Sequence, residues 1–375
     1  MNINRKLGVF GGGQLGRMLI QSAINFNWEV RTLDPDAQAP CRNISHFTQG
    51  ALKDYQTVYE FGKSCDVLTI EIEAVNVEAL KQLEKEGVKV FPQPHIIELI
   101  QDKRLQKQFY RQEQIPTADF VLTENREELM RYQDWLPAVH KLGKDGYDGR
   151  GVQILRSVED LSKGFDAPGV LERMIPFEKE LAVIVARNES GEVKAFPAVE
   201  MAFHPEHNLV EYLFAPAEIS QATEVKAQEI AQTIISKLGM VGLLAVEMFL
   251  TKEGEILVNE IAPRPHNSGH HTIEANQVSQ YEQHLRAIMN LPLGDTEALS
   301  PAAMVNVLGE AGFSGEARYE GLEEILQLKG VHLHLYGKTL TKPFRKMGHI
   351  TITDQSVESL KEKAQFVKKH FKVKA

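Results

Sequence analysis

The chain is most constrained by a break near its start, where apolar residues 7–10 run into Gly11, Gly12 and Gly13. Beyond them Leu15, Met18, Leu19, Ala23 and Phe26 recur at helical spacing, so a strand passes through a glycine turn directly into a helix. Further strands are predicted at 30–33, 67–70 and 88–91, with a helical pattern at 77–86. Strands alternating with helices predict an α/β unit on a parallel, doubly wound sheet. Phe91-Pro92-Gln93-Pro94 then punctuates the chain. Each proline fixes its own φ and turns its predecessor away from helix, which places a first domain boundary there.

From about residue 137 the pattern becomes strands joined by short turns, including 181–187 and 193–199 around Glu189-Ser190-Gly191-Glu192. A helix at 223–238 ends at Gly239, suited to a left-handed cap, and an apolar hairpin spans 241–261. A helix at 278–289 is closed by Pro292; after Ser300, strands at 331–335 and 350–353 precede a charged terminal helix. His332 and His334 share one strand face and are expected to be solvated rather than metal-bound.

At 375 residues the chain is long enough for two or three domains, and 43% hydrophobic with 25% charged residues is a globular composition. Lys+Arg at 42 against Asp+Glu at 51 gives a net charge of -9, the wrong sign for binding phosphate backbones, so no nucleic acid partner is expected. The two cysteines, Cys41 and Cys65, follow no metal-ligand spacing and read as buried free thiols of a reducing compartment. No basic segment leads into a long apolar run, and no window approaches the roughly 18–20 apolar residues of a membrane span. A cytoplasmic protein with no membrane partner is expected.

Gly11-Gly12-Gly13-Gln14-Leu15-Gly16 fits G-x-G-x-x-G, with Asp34 at the end of the next strand. Such glycines let the backbone approach a phosphate at a helix N-terminus, although the same turn also serves chain geometry alone. The hairpin says more. With its turn centred on Glu253-Gly254, antiparallel register sets Phe249 opposite Val258 and Glu247 opposite Glu260. Directly paired side chains lie about 4.5–5.5 Å apart and like charges there repel. Ala245, Val246, Met248, Leu257 and Ile261 around them describe an interior, so a cation belongs between the two acids. Mg²⁺ takes carboxylate oxygen and completes its shell with water and substrate phosphates. A register one residue off leaves one glutamate solvated instead.

Lys103 and Lys141 are candidates for the opposing charge on those phosphates, or else snorkelling surface lysines. Lys141 lies in a buried-looking strand where it needs an anionic partner. Residues 143–151 carry four glycines in nine residues, among them Gly146, Gly149 and Gly151 around Tyr147 and Arg150. Such a loop is either a backbone cradle for a triphosphate or a plain hairpin tip. After the metal strand, Arg264 offers a planar fork for carboxylate or phosphate, and His266, His270 and His271 lack the cysteines or H-E-x-x-H of a zinc site. Arg345 and Lys346 before the 350–353 strand are a phosphate clamp or a solvated turn.

In order along the chain, GGGQLGRM at 11–18, TIEIE at 69–73, GYDGRG at 146–151, NEIAPRPHNSGHH at 259–271 and RKMGH at 345–349 resemble the 5-(carboxyamino)imidazole ribonucleotide synthases. The resemblance covers essentially the whole chain. It implies an ATP-grasp fold, with a Rossmann-like domain at 1–95, an ATP-grasp domain at 96–295 holding a lid at about 115–175, and a small mixed C-terminal domain at 296–375. It also implies a homodimer that uses ATP, Mg²⁺ and bicarbonate to carboxylate the exocyclic amine of 5-aminoimidazole ribonucleotide in purine biosynthesis, and that hands its product to a mutase. Position by position it implies Lys103, Lys141 and the 146–151 glycines on the phosphates, with Asn259 and Glu260 beside them. Glu172, Arg173 and Ile175 fall in the adenine hinge, Glu180 on the ribose, and Glu247 and Glu260 on magnesium. Gln14, Leu15, Glu73, Asn267, Arg345 and Lys346 line the ribonucleotide side, with Tyr147, Arg150, Arg264 and His266 at the reacting groups. The stretch Glu200-Met201-Ala202-Phe203 departs from the Glu-Asn-x-His of many relatives and carries no assigned role. Three rivals are a formate-using transformylase of the same superfamily, a nicotinamide-dependent oxidoreductase with Asp34 on the ribose, and a nucleotide-binding regulator without turnover.

Overall fold

A computed structural model of the chain describes residues 5–144, 146, 151–203 and 210–375. Strand Lys6–Phe10 is buried on both faces: Leu7 and Val9 pack under helix Gln14–Ile24, and Phe10 joins Leu33, Leu68 and Ile70 on the other side. Burial on both faces marks the centre of a parallel sheet. The sheet runs His46–Gln49, Glu29–Asp34, Lys6–Phe10, Val67–Ile70, Lys89–Val90, every neighbouring pair parallel. The edge strand His46–Gln49 was not among the predicted strands, because it is polar and largely exposed and so carries no apolar signal. Strand order reverses beside Lys6–Phe10, opening a crevice at the carboxyl ends of two central strands, where Gly11 and Gly13 approach Glu71.

Helices Pro94–Gln101 and Lys103–Gln112 follow; the Asp102 carboxylate between them accepts from the Arg104 amide at 2.9 Å and so starts the second helix at Lys103. A four-stranded antiparallel sheet, the lid, has the order Phe120–Thr123, Gly169–Arg173, Ala138–Leu142, Val152–Leu155. The largest sheet has nine strands. It begins with Ile256–Ala262, Gly242–Thr251 and Phe177–Arg187, and continues through Val199–Phe203 and Val210–Ala215 into Ala302–Leu308, Lys346–Thr353 and Val331–Leu335. The strands after residue 300 therefore extend the same sheet as the hairpin.

Helix Gln221–Leu238, capped by Ser220 and ended by left-handed Gly239 (φ 60°), covers one face of this sheet. Its Ala227, Ala231, Ile234 and Ile235 pack on Leu181, Val183, Val246 and Met248. The opposite face of these central strands is left for other work. The predicted pair of solvated histidines divides: His332 is exposed, but His334 Nε2 meets Glu274 Oε1 at 2.7 Å and its ring stacks on His349 at 4.4 Å. Glu274 lies in Thr272–Ala275, 60 residues away in sequence, so only tertiary docking removes His334 from water. Among the described residues no helix is long and apolar enough to cross a membrane.

Candidate active site

The hairpin turn closes at Thr251–Glu255, and Leu250, Phe249 and Met248 pair with Ile256, Leu257 and Val258. Phe249 thus faces Leu257, not Val258 as the sequence register had it. A bulge then intervenes: Glu247 pairs with Glu260, leaving Asn259 as the extra residue. Were Asn259 an ordinary paired residue instead of a bulge, Glu260 would point with Val258 into the apolar core, because one step of register exchanges the two faces of a strand. The bulge therefore turns Glu260 onto the face of Glu247, Phe249 and, across the next strand, Glu180. Phe249 stacks on Phe177 there with ring centroids 4.7 Å apart.

Charge on this face is unbalanced. Burial, and then the facing Glu260, push Glu247 above the usual carboxylate range. Glu260 is held low, first by the Lys103 ammonium, with which it forms an ion pair. Burial raises Glu180 to about 7. Lys141, reaching in from the lid, donates to Asn259 Oδ1 at 2.8 Å and meets Glu172 Oε2 at 3.0 Å. Burial opposes the charge of Glu172, but Lys141 and Lys107 outweigh it and lower its pKa. Arg173, next in the strand, sends its guanidinium to the other face, 4.7 Å from the Trp135 ring centre, because side chains alternate along a strand. Its side chain is therefore absent from the cleft. Ile175 closes a tight turn by accepting from the Phe177 amide at 3.0 Å. Gly151 accepts from the Leu142 amide at 2.8 Å, and Gly146 lies close by; Tyr147, Gly149 and Arg150 lie outside the described residues.

The segment after the metal strand is clamped from behind. Gln280, fully buried, accepts from the His266 amide at 2.9 Å and donates to the His266 carbonyl at 2.7 Å. His266 Nε2 then stands 3.4 Å from Glu247 Oε1. Gln280 and Lys107 were missed from sequence because a single Gln or Lys on a helix carries no motif; only their buried contacts mark them. Arg264 Nε meets Glu73 Oε1 at 2.8 Å, which joins this segment to the end of the parallel sheet. Neither amide atom of Asn267 has a partner among the described residues, although both are buried.

The glycine loop is arranged differently from a dinucleotide site. The Gly12 amide donates to Asp34 Oδ2 at 2.6 Å, and the Gly13 and Leu15 amides donate to the two oxygens of Glu71 at 3.2 Å each. The chain's own carboxylates thus occupy the donors a pyrophosphate needs, and Asp34 is not available to a ribose in this arrangement. The exposed edge of the loop is basic. Lys338 Nζ donates to Gln14 Oε1 at 3.0 Å and to the Lys346 carbonyl at 2.7 Å, while Arg345 is half-buried and donates to the Leu340 carbonyl at 2.8 Å.

A small antiparallel lid facing a larger sheet, with lysines from the lid and a helix opposed to paired acids on a hairpin, defines an ATP-grasp enzyme. The family model described as ATP-grasp domain matches residues 108–281. The flanks match the ribonucleotide synthetase preATP-grasp domain at 4–101 and the phosphoribosylaminoimidazole carboxylase C-terminal domain at 302–363. The chain is 40% identical to the N5-carboxyaminoimidazole ribonucleotide synthase of Synechococcus elongatus, over 96% of this chain and 92% of that protein. It is likewise 40% identical to the chloroplastic phosphoribosylaminoimidazole carboxylase of Vigna aconitifolia, of which it spans 65%. It thus spans about two thirds of that longer relative. Among solved structures, the synthetase of Thermotoga maritima superposes with a TM-score of 0.91 at 44% identity, covering 99% of both chains. The Aspergillus clavatus synthase, in complex with ADP and 5-aminoimidazole ribonucleotide, gives 0.90 at 35% identity, covering 98% of this chain and 99% of that one. The chain belongs to the N5-carboxyaminoimidazole ribonucleotide synthase family and is an ATP-grasp ligase.

Proposed function

We propose that the chain uses ATP and bicarbonate to carboxylate the exocyclic amine of 5-aminoimidazole ribonucleotide, through carboxyphosphate, as a step of purine biosynthesis. The observation that carries this reading is the bulge at Asn259, which sets Glu260 beside Glu247 on an open face across from Lys103 and Lys141. Two acids with unbalanced charge fit Mg²⁺. Among the described residues no group of three or more His, Cys, Asp or Glu is placed to hold a metal, so Glu247 and Glu260 are the protein groups that would hold it, and such an ion would draw its other ligands from substrate phosphate and water. The chemistry magnesium would supply there, held by Glu247 and Glu260, is neutralisation of charge on the triphosphate.

In this reading Lys103 exchanges its partner Glu260 for phosphate oxygen, and Lys141 contacts the same group from the lid. The backbone of 172–175 takes the adenine edge, Glu180 the ribose hydroxyls, and Phe249 with Phe177 the apolar wall. Gly146, Gly149 and Gly151, with Tyr147 and Arg150, close over the phosphates and exclude water from carboxyphosphate. Arg264 holds the bicarbonate-derived group, and His266 lies beside it to hydrogen-bond or move a proton. Asn267, Glu73, Gln14, Leu15, Arg345 and Lys346 face the ribonucleotide, Leu15 by its side chain because Glu71 engages its amide. The domain limits at 95 and 295, the lid at 115–175, the homodimer, a cytoplasmic location and a mutase that consumes the product belong to the same proposal.

The deciding experiment measures ADP release from ATP with 5-aminoimidazole ribonucleotide, with and without bicarbonate. Bicarbonate-dependent release is expected, and none with glycinamide ribonucleotide and formate. Release with the second pair alone overturns the proposal in favour of a transformylase.

A further inference from the structure

Behind the paired acids, helix Lys103–Gln112 carries a second lysine, Lys107, one turn beyond Lys103 and on the same side. It is 3% exposed. Its ammonium donates to Thr117 Oγ1 at 2.5 Å and meets Glu172 Oε1 at 3.1 Å. Thr117 Oγ1 in turn donates to the Val258 carbonyl at 2.7 Å. The other oxygen of Glu172 meets Lys141 at 3.0 Å, and Lys141 donates to Asn259 at 2.8 Å. Val258 and Asn259 are adjacent, so these contacts close into a ring. The ring crosses three parts of the molecule: the helix of Lys103, the lid sheet, and the hairpin strand at its bulge.

Lys107 is too deeply buried to touch a nucleotide, and a buried ammonium persists only beside a compensating carboxylate. Its partner Glu172 is shared with Lys141. With Lys107 in place, one carboxylate lies between two cations and the ring keeps a net positive charge facing the cleft. Remove Lys107, and Glu172 pairs with Lys141 alone, cancelling the charge that Lys141 offers to phosphate and drawing it away from Asn259. The Thr117 link holds the strand of Glu260 in register with the same helix.

We infer that Lys107 is a positioning residue for ATP, which balances Glu172 and fixes the lid against the bulged strand so that Lys141 stands opposite Glu260. This rests on reading the cleft as the ATP site. Burial lowers Lys107 to about 8, with Glu172 opposing, as expected for a charge held in the interior by its partners.

The test uses the full chain with Lys107→Met and Lys107→Arg, measuring affinity for ATP with magnesium, affinity for 5-aminoimidazole ribonucleotide, and the melting temperature. Lys107→Met is expected to weaken ATP about tenfold or more, the effect of removing one charge-assisted contact. Ribonucleotide affinity is expected to stay within about twofold, and Lys107→Arg to recover part of the loss. Should the Met variant not fold, Lys107→Gln, which keeps a donor near Thr117 without the charge, is read by the same criteria. Wild-type ATP affinity in a folded charge-free variant overturns the inference, as does an equal loss for both ligands. A wild-type protein that binds no ATP with magnesium overturns the ATP reading itself, which separates the two failures.

Discussion

The glycine loop and the carboxylate hairpin invert each other. The loop carries a familiar ligand-binding pattern, yet its amides at Gly12, Gly13 and Leu15 are engaged by Asp34 and Glu71. The hairpin carries no glycine signature, yet while Lys103 pairs with Glu260 it leaves Glu247 and Glu180 without a balancing cation, and burial raises both. A pattern of residue types reports which interactions a segment is able to make. Which of them remain open to a ligand is decided by what the rest of the chain has already brought there.

The largest effect is expected from Glu260→Gln, which keeps the shape and removes the charge. Turnover should fall by roughly 10²–10³, as when one electrostatic contact to a transition state is lost. Relief of Glu247 and loss of the Lys103 ion pair oppose each other, so ligand-free stability should shift by no more than about 1 kcal/mol. An ordinary rate at normal magnesium would show that the pair holds no metal. Next comes Arg264→Lys, which keeps charge but loses the fork beside Glu73; the bicarbonate-dependent rate should drop roughly 10- to 100-fold with ATP affinity nearly unchanged. Weaker ATP binding with an intact rate per bound nucleotide would move Arg264 to the nucleotide side.

On the loop, the expected loss is in stability. Glu71→Ala strands the amides of Gly13 and Leu15 in a buried place and should lower unfolding free energy by about 1–3 kcal/mol in a denaturant titration. NAD should give no thermal shift in either protein, while ATP with magnesium shifts the wild type. A shift with NAD and none with ATP would mean that the loop, not the hairpin, is the ligand site.

The smallest effect concerns pH. Burial raises Glu180 from its ordinary 4.5 to about 7 in the folded chain, so its contribution is fully present below 4.5 and is lost as pH rises through about 7. In the ligand-free protein Glu180→Gln should flatten that decline by on the order of 1 kcal/mol, the open cleft screening part of it. An unchanged slope would mean that Glu180 is solvated and the hairpin face less charged than its geometry implies.

Periodicity determined the parallel sheet, the helix ended by Gly239 and the hairpin, because burial of apolar residues at intervals of two or 3.6 is a local requirement. The facing of Glu247 and Glu260 was also legible, although two departures from the simple register cancel to produce it. The turn is one residue tighter than the sequence suggests, and the bulge at Asn259 restores the pairing. Tertiary structure alone decided that Glu71 and Asp34 engage the glycine loop and that Gln280 grips His266. It also placed His334 against Glu274 and joined Lys107, Glu172, Lys141 and Asn259 across the lid and the strand. These contacts join residues from 14 to more than 100 positions apart, and most of them draw on elements that meet only once the sheets have packed. The strength of a buried charge or hydrogen bond depends on which partner arrives and how much water it displaces, and neither is written in the spacing of residues along the chain.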